Sequence, residues 1–167
     1  MDFVPNHSSD EHEWFNKSLS MDPKYDDYYV WQNASSYNDS EPLPPNNWVS
    51  LFRGPAWTWR PERQQFYLHQ FDPGQPDLNY RNPDVMQEMM DVLTFWMDQG
   101  CDGYRMDAVG YNPDCLAKVA SQSSFHSQVI FLIEDANFTD NPESGNTDVG
   151  PDDPAYYDNI YTQSIYI

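Results

Sequence analysis

The spacing of hydrophobic positions in the second half of the chain predicts a long amphipathic helix. Asn82-Pro83-Asp84 has the features of a helix start: a capping side chain, a proline suited to the first turn and a carboxylate that complements the helix dipole. Apolar side chains then recur every three or four residues until Gly100, which predicts a helix packed against a sheet. These apolar positions are Met86, Met89, Met90, Leu93, Trp96 and Met97.

The pattern after this helix changes to that of strands. Residues 102–108 alternate, so Gly103, Arg105 and Asp107 share one face and the intervening side chains take the other. The apolar run at residues 129–133 predicts a second buried strand. The last thirty residues are acidic and contain Pro and Tyr, which predicts an irregular surface segment.

The beginning of the chain has a weaker pattern. Residues 1–7 are typical of the end of a buried strand that enters a loop. Ser8 and Glu11 have the spacing of a capping box, which predicts a short helix over about residues 10–18.

The stretch from residue 22 to residue 79 has no sustained helical period. Prolines cluster in it and large aromatic side chains are spread through it, which favours an irregular insert of loops and strands. Residues 65–71 are predicted to form one of these strands.

Composition and charge exclude several classes of protein. A hydrophobic content of 39%, with 16% aromatic residues, argues against a disordered chain. The 8 basic and 27 acidic residues give a net charge of −19, which repels nucleic acid and anionic membranes. We therefore expect no nucleic-acid partner, whereas a neutral substrate is compatible with this charge. No stretch approaches the roughly 18–20 apolar residues of a membrane span.

Cysteines and glycosylation motifs bear weakly on the cellular compartment. Cys101 is predicted to be a buried free thiol, and a bridge from Cys101 to Cys115 is the alternative. Several Asn-x-Ser/Thr motifs suit a secreted protein, although the first overlaps a candidate site motif. They lie at Asn6, Asn16, Asn33, Asn38 and Asn137.

The pair Arg105 and Asp107 is the most informative candidate for chemistry. A guanidinium beside a carboxylate favours the ionised carboxylate. An ionised, immobile aspartate at the carboxyl end of a strand is suited to covalent catalysis on a sugar. An ordinary structural salt bridge is the alternative.

The segment Gly103-Tyr104-Arg105-Met106-Asp107-Ala108 resembles the nucleophile motif of the α-amylase family of glycoside hydrolases. Residues 2–7 resemble the family's strand-three motif, and residues 75–80 resemble the motif that closes its small inserted domain. Three motifs in this order are far more specific than any one of them. The resemblance covers nearly the whole chain and is strongest to animal maltases, particularly those of insects. It extends to the heavy chains of amino-acid transporters, which share the fold.

The resemblance implies an α/β fold, namely part of a (β/α)8 TIM barrel from the end of strand three to beyond strand four. Residues 1–21 would be the end of strand three and the following helix, 22–79 the inserted domain B, and 80–167 the next barrel helix, strand four and the segment after it. Such barrels need about 250 residues or more, so we expect an incomplete catalytic domain that needs the rest of the barrel for folding and activity. The natural N-terminus is expected to lie upstream of Met1.

The resemblance also implies roles for individual residues. Asp107 would be the catalytic nucleophile, while Arg105 keeps it charged and contacts the sugar. His7 would hydrogen-bond the sugar. Phe52 and Phe71 would line the sugar pocket, with core packing as the alternative for both. The residues expected to support this site are Asp2, Asn6 and Asp77.

Retaining glycosidases use two carboxyl groups about 5–5.5 Å apart. Glu134 follows a predicted strand and is one candidate for the second group. Residues 134–138, however, resemble a loop segment after strand four of maltase-like relatives. We therefore expect the proton donor to lie beyond Ile167, and the chain alone to be inactive.

The predicted function is that of an exo-acting α-glucosidase that hydrolyses terminal α-glucosidic bonds, with a small α-glucoside such as maltose or sucrose as substrate. A small residue at Ala108, beside the nucleophile, is compatible with either. The main alternative is a non-catalytic ectodomain similar to transporter heavy chains, and an endo-acting amylase is a weaker one. We expect no cofactor, no required metal, and secretion of the full-length protein.

Overall fold

The computed structural model describes residues 1–108 and 130–133, which belong to two compact units. The first unit comprises residues 1–6, 80–108 and 130–133, and the second comprises residues 7–79. The elements in chain order are β1 (Asp2–Phe3), α1 (Glu13–Leu19), β2 (Trp31–Gln32), β3 (Ser36–Asn38), β4 (Glu41–Leu43), β5 (Trp57–Arg60), β6 (Gln65–Leu68), α2 (Pro83–Asp98), β7 (Gly103–Met106) and β8 (Ile130–Ile133).

The first unit is built on a parallel sheet in the order β1-β7-β8. Asp2 lies opposite Arg105 and Phe3 opposite Met106, while Gly103 lies opposite Ile130 on the other side of β7. Because all three strands are parallel, their carboxyl ends meet at one edge of the sheet. β7 is the central strand, so the residues that follow it have a neighbouring strand on either side.

Helix α2 has the start and the end that the sequence predicts. The Asn82 side chain accepts a hydrogen bond from the Asp84 N–H at 2.9 Å, and Pro83 occupies the first turn. At the other end Gly100 has a φ of +90°, a conformation open to glycine, and its N–H donates to the Met97 carbonyl at 2.8 Å. The helix predicted between Asn82 and Gly100 is confirmed.

One face of α2 is buried, and the prediction for this face holds except in the last turn. The buried side chains are Val85, Met86, Met89, Met90 and Leu93. The Tyr104 hydroxyl donates to the Leu93 carbonyl at 2.6 Å and ties the helix to β7. Trp96 is 39% exposed, with its ring against Phe95, so its assignment to the buried face is wrong. Periodicity gives the direction of a side chain but not whether another element covers it.

Strand β7 shows the predicted alternation over a shorter span. Tyr104 and Met106 are buried, whereas Arg105 on the other face is half-buried. The strand ends at Met106, two residues before the predicted end. Ala108 has a φ of +55°, in the left-handed region, and so turns the backbone out of the strand.

The second unit contains an antiparallel sheet in the order β2-β6-β5 and a separate hairpin formed by β3 and β4. The hairpin turns at Asp39 and Ser40, which have φ values of +47° and +74°. Two adjacent residues with positive φ are typical of a type I′ turn, whose twist matches that of paired strands. Strand β6 covers the first part of the strand predicted over 65–71.

Aromatic packing holds the second unit together. One buried cluster consists of Ala56, Trp57, Phe66 and Leu68. Around Phe15, which is 1% exposed, the ring of Trp31 stacks at 5.6 Å and the rings of Tyr29 and Tyr67 meet it edge-on at 5.1 Å. Such pairs add roughly 0.5–1.5 kcal/mol each beyond area burial. Large rings thus compensate for strands of only two to four residues.

Helix α1 begins later than the capping-box pattern predicts. Its N-cap is His12, whose Nδ1 accepts from the Trp14 N–H at 3.1 Å. Ser8 hydrogen-bonds the Tyr29 hydroxyl at 2.6 Å, and the Ser9 hydroxyl accepts from the Glu11 N–H. The predicted start is therefore wrong, because a tertiary contact engages the expected capping side chain.

Cys101 has a free, half-buried thiol that donates to the Gly103 carbonyl at 3.2 Å. Cys115, its predicted alternative partner, lies outside the described residues. Among residues 1–108 and 130–133, no helix combines the length and the apolar character needed to cross a bilayer.

Candidate active site

Asp107 lies directly after β7, at the carboxyl edge of the parallel sheet. Its backbone N–H donates to the Phe3 carbonyl at 2.9 Å, which continues the pairing with β1 past the last strand residue. One carboxylate oxygen accepts from the Ala108 N–H at 3.1 Å. Backbone pairing and the local turn therefore hold a half-buried carboxylate at a fixed position on the sheet edge.

Arg105 is held in the same way and pairs with a carboxylate on the neighbouring strand. Its N–H donates to the Met1 carbonyl at 2.8 Å, and its guanidinium lies 3.0 Å from the Asp2 carboxylate. These two side chains are 42% and 67% exposed, so water screens the pair and it contributes at most about 1 kcal/mol. The parallel register that sets Asp2 opposite Arg105 explains this pairing. An action of Arg105 on Asp107 stays a prediction.

Asn6 ends the described N-terminal part of the first unit and is fully buried. In the same unit, the Tyr80 hydroxyl donates to the Pro5 carbonyl at 2.7 Å and fixes the chain just before Asn6. A glycan on Asn6 is incompatible with this fold, because its amide has no access to solvent.

His7 belongs to the second unit, where its backbone pairs with Asp77 and its ring contacts the Phe71 ring at 5.2 Å. Its Nε2 lies 3.1 Å from Gln75 Nε2. The Gln75 Oε1 accepts from the Asp72 N–H at 3.2 Å, which turns the amide nitrogen toward His7. An amide nitrogen only donates, so His7 Nε2 accepts, and we assign the imidazole proton to Nδ1.

Gln75 is a contact of His7 that sequence reasoning missed. Its only signal was membership of the motif at residues 75–80, and nothing in that motif pointed to His7. The two residues are 68 positions apart in the chain and meet through the folding of the second unit.

Asp77 is buried, and both of its carboxylate oxygens accept hydrogen bonds from Gln70. One carboxylate oxygen accepts from the Gln70 N–H at 3.2 Å, and the other accepts from the Gln70 side-chain amide at 2.7 Å. Hydrogen bonds to a charged acceptor are the strong ones. Asp77 thus anchors residues 70–77, the segment that carries Phe71.

Phe71 and Phe52 form an aromatic pair at the surface of the second unit, with ring centroids 6.1 Å apart in an edge-on arrangement. Phe52 is 65% exposed, so core packing of this residue in the second unit is excluded. It sits in a tight loop, where its N–H donates to the Ser50 hydroxyl and Gly54 has a φ of +85°. Exposed aromatic rings are suited to contact the apolar face of a sugar.

His69, also missed by sequence reasoning, is the buried histidine of this region. Its Nε2 lies 2.9 Å from the Thr58 hydroxyl and its Nδ1 lies 3.2 Å from the Phe71 carbonyl oxygen. Burial lowers the pKa of His69 below the usual histidine value, and the Phe71 carbonyl opposes this effect only in part. The signal available was its place directly after a strand of mostly buried residues, two residues beyond Tyr67.

Two further features considered for the site are a metal ion and a proton donor. Within residues 1–108 and 130–133, no group of three or more His, Cys, Asp or Glu side chains is arranged to hold a metal ion. Glu134, the candidate considered for proton donation, lies outside the described residues. The structure thus shows two groups of candidate residues, each within its own unit: Asp2, Arg105 and Asp107 in the first unit, and His7, Phe71 and Phe52 in the second.

Comparison with known proteins places these residues in a family. A profile described as "Alpha amylase, catalytic domain" matches residues 1–152. Maltase 1 of Drosophila virilis is 48% identical over 165 residues, which are 99% of this chain and 23% of the relative. Salivary alpha-glucosidase of Aedes aegypti is 46% identical over 165 residues, 99% of this chain and 25% of that relative. The chain therefore spans about a quarter of the length of these relatives.

The chain is also similar to a solved enzyme structure and to a transporter heavy chain. The alpha-glucosyl transfer enzyme XgtA has a TM-score of 0.61 and 45% identity over 66% of this chain and 20% of that chain. Amino acid transporter heavy chain SLC3A1 of Rattus norvegicus is 46% identical over 111 residues, 66% of this chain and 16% of that relative. The family implies a TIM-barrel fold, of which the parallel sheet of the first unit is typical. The chain belongs to the α-amylase family, and among its members it is similar to insect maltases and α-glucosidases.

Proposed function

We propose that the chain is part of a retaining, exo-acting α-glucosidase that hydrolyses terminal α-glucosidic bonds in small substrates such as maltose or sucrose. The observation that carries this proposal is the position of Asp107. It stands at the carboxyl end of the central parallel strand, where the active sites of TIM barrels gather, and within a segment that resembles the nucleophile motif of the family. Relatives named maltase and α-glucosidase, 46–48% identical, support the same reaction.

The mechanism assigns covalent chemistry to Asp107. Its carboxylate oxygen attacks the anomeric carbon while the bond from that carbon to the leaving oxygen breaks, and a carboxylic acid protonates the leaving oxygen. Water then attacks the anomeric carbon and gives its proton to the same acid/base residue, while the bond from that carbon to the Asp107 oxygen breaks and frees the carboxylate. This second displacement restores the α configuration. Arg105, which pairs with Asp2 and donates its N–H to the Met1 carbonyl, contacts the sugar.

On the second unit we propose His7, Phe52 and Phe71 as sugar-binding residues. The tautomer assigned to His7 leaves it with a single N–H donor, at Nδ1. The aromatic pair offers ring surface to a sugar. Asp77 supports this group through Gln70, and we propose buried Asn6 as a supporting residue within the first unit.

We further propose that the chain corresponds to the section from the end of barrel strand three, through domain B at residues 22–79, to strand four and the segment after it, with 1–21 and 80–167 as the flanking parts. A barrel needs about 250 residues or more, and this chain spans about a quarter of its relatives. The rest of the barrel would then be needed for folding, and it would supply the acid/base partner of Asp107.

The same family supports a second candidate, a non-catalytic ectodomain, through the similarity to a transporter heavy chain over two thirds of this chain. Arg105 and Asp107 favour the enzyme, because a non-catalytic relative needs neither. The two candidates differ in whether the intact protein forms a covalent glycosyl adduct.

Secretion of the intact protein is proposed on the similarity to a salivary relative and on the glycosylation motifs. Accessibility and hydrogen bonding distinguish these motifs. Asn6 is buried, and Asn16 is exposed but its side-chain nitrogen donates to the carbonyls of Glu11 and His12. Asn33 and Asn38 are exposed, and we propose these two as the glycosylated positions.

Covalent trapping tests the proposed function. The intact protein that contains this chain would be incubated with 5-fluoro-α-glucosyl fluoride, digested and sequenced by mass spectrometry. We expect the glucosyl mass on the peptide of Asp107. An adduct on another residue, or no adduct in a protein shown to be folded, would refute the assignment and favour the non-catalytic candidate.

A further inference from the structure

His69 is a buried ionisable side chain to which the proposed mechanism gives no role. It follows β6 in the second unit, and its ring lies between two elements of that unit. Its Nε2 is 2.9 Å from the hydroxyl of Thr58 on β5, and its Nδ1 is 3.2 Å from the carbonyl oxygen of Phe71. Its own N–H donates to the Ala56 carbonyl at 2.8 Å. The ring therefore links the antiparallel sheet to the residue whose side chain meets His7.

The positions of the protons on this ring follow from its partners. A carbonyl oxygen only accepts, so the hydrogen bond to Phe71 requires the proton on Nδ1 of His69. In a neutral imidazole the other nitrogen then accepts, and the Thr58 hydroxyl is the donor that meets it. The depressed pKa of buried His69 agrees with a neutral ring. One arrangement of protons satisfies both contacts.

We infer that Thr58 and His69 together position Phe71. The Phe71 carbonyl selects the Nδ1–H tautomer of His69, and the Thr58 hydroxyl donates to the remaining Nε2 and holds the ring, so that the Phe71 ring stays 5.2 Å from the His7 ring. This inference rests on the proposed function, in which Phe71 and His7 bind sugar. His69 acts through Phe71 and is a positioning residue.

The segment around His69 is anchored at several further points, which makes its geometry specific. The next residue, Gln70, is held by Asp77 through both its N–H and its side-chain amide, and its carbonyl accepts from the Leu51 N–H at 2.9 Å. The bond from His69 adds the Phe71 carbonyl to this set. Loss of that bond would release the residue that carries the ring while leaving the neighbouring anchors in place.

The matched pair Thr58→Val and Thr58→Ser tests the inference in the intact protein. Valine has the shape of threonine without the hydroxyl, and serine keeps the hydroxyl. With p-nitrophenyl α-glucoside as substrate, we expect Thr58→Val to raise KM about tenfold with kcat within about threefold, because a sugar-stacking ring contributes equally to ground-state and transition-state binding. Thr58→Ser should stay within about twofold of wild type. A change in kcat alone, as from a smaller folded fraction, or an unchanged KM would overturn the inference.

Two substitutions of the histidine itself provide a second test. An asparagine amide reaches the position of Nδ1, and a glutamine amide reaches that of Nε2. We expect His69→Asn to keep KM closer to wild type than His69→Gln does, because only the former can donate to the Phe71 carbonyl. The opposite order would contradict the inference.

Ring ¹⁵N chemical shifts of His69 separate this inference from the proposed function. In histidine-labelled intact protein, we expect a protonated Nδ1 and a bare Nε2 in wild type and Thr58→Ser, and an Nε2 resonance shifted by the loss of its hydrogen bond in Thr58→Val. A wild-type ring protonated on Nε2 would refute the inference whatever the activity. A protein with the expected shifts but no α-glucosidase activity would refute the proposed function and confirm the hydrogen bonds of His69 with Thr58 and Phe71.

Discussion

The two units fix their candidate site residues by different means. In the first unit, parallel backbone pairing sets Arg105 and Asp107, whose N–H groups donate to the carbonyls of β1 and of Met1. In the second unit, side-chain hydrogen bonds position the candidate residues: Asp77 holds Gln70, His69 holds Phe71, and Gln75 orients His7. Backbone pairing tolerates changes of side chain, whereas a side-chain network does not. We therefore expect mutations away from the candidate sugar contacts to impair binding mainly when they fall in the second unit.

The largest effect is expected at the backbone-held carboxylate. Asp107→Asn removes the nucleophile but keeps its shape, so kcat of the intact protein should fall by roughly 10⁴-fold or more. The thermal midpoint should change little, because strand pairing and not the carboxylate holds this position. Turnover of p-nitrophenyl α-glucoside measures kcat, and a melting curve measures the thermal midpoint.

Asp102→Asn is the matched control for this prediction. It makes the same chemical change on an exposed residue of the same unit, five positions earlier. Its kcat should equal that of wild type. Equal activity of the Asp102 and Asp107 variants would show that the carboxylate at the strand end is not catalytic.

The packing of the second unit is tested at Phe15, the centre of its ring cluster. Phe15→Ala should destabilise the folded state by about 3–5 kcal/mol, because it deletes a buried ring and leaves a cavity. The same substitution at exposed Phe52 should change stability by less than about 0.5 kcal/mol. Chemical denaturation followed by tryptophan fluorescence would measure both, and equal losses would contradict a core centred on Phe15.

Much of the first unit could be predicted because its signals are local. The cap at Asn82, the stop at Gly100 and the alternation of β7 depend on residues within one element. The ion pair of Arg105 with Asp2 could not be predicted, since the parallel register of strands about a hundred residues apart decides it. The exposure of Trp96 depends on what covers the helix, and periodicity carries no information about that.

Less of the second unit could be predicted, for a related physical reason. Capping by Ser8 was expected from its spacing to Glu11, but the Tyr29 hydroxyl, 21 residues away, engages that side chain. His69 and Gln75 were missed because their roles lie in contacts with Thr58 and His7 that no local pattern encodes. Where side-chain hydrogen bonds rather than strand pairing position the residues, sequence patterns indicate which residues form a site but not which of them contact one another.

A smaller effect is expected for the exposed aromatic residue of the proposed sugar site. Phe52→Ala should raise KM about tenfold, corresponding to roughly 1–1.5 kcal/mol of lost stacking, with kcat nearly unchanged. Tyr37→Ala removes a ring of similar exposure from the β3–β4 hairpin and serves as the control. Steady-state kinetics should show a higher KM for Phe52→Ala than for Tyr37→Ala. Equal KM values for the two variants would show that Phe52 is not part of the sugar site.

Acid should weaken the second unit through His69. Its folded-state pKa lies below the usual histidine value, so the unfolded chain binds the proton more readily and stability falls as the pH drops below about 6.5. Above that pH the effect vanishes, because both states are neutral. His69→Asn should flatten this pH dependence of the melting temperature between about pH 5 and 7 relative to wild type. An identical slope in the two proteins would mean that another group is responsible.

The smallest effect is expected at the ion pair of the first unit. Asp2→Asn removes the partner of Arg105, but water reaches both side chains and screens the pair, so stability should change by less than about 1 kcal/mol. The second unit offers a direct comparison with this exposed pair, because Gln70 donates hydrogen bonds to the carboxylate of buried Asp77. Asp77→Asn should cost about 1–3 kcal/mol, since an amide cannot accept both hydrogen bonds from Gln70 at its two ends. Equal costs for Asp2→Asn and Asp77→Asn, measured by denaturation of the intact protein, would show that the side-chain network of the second unit is no more demanding than the exposed pair of the first.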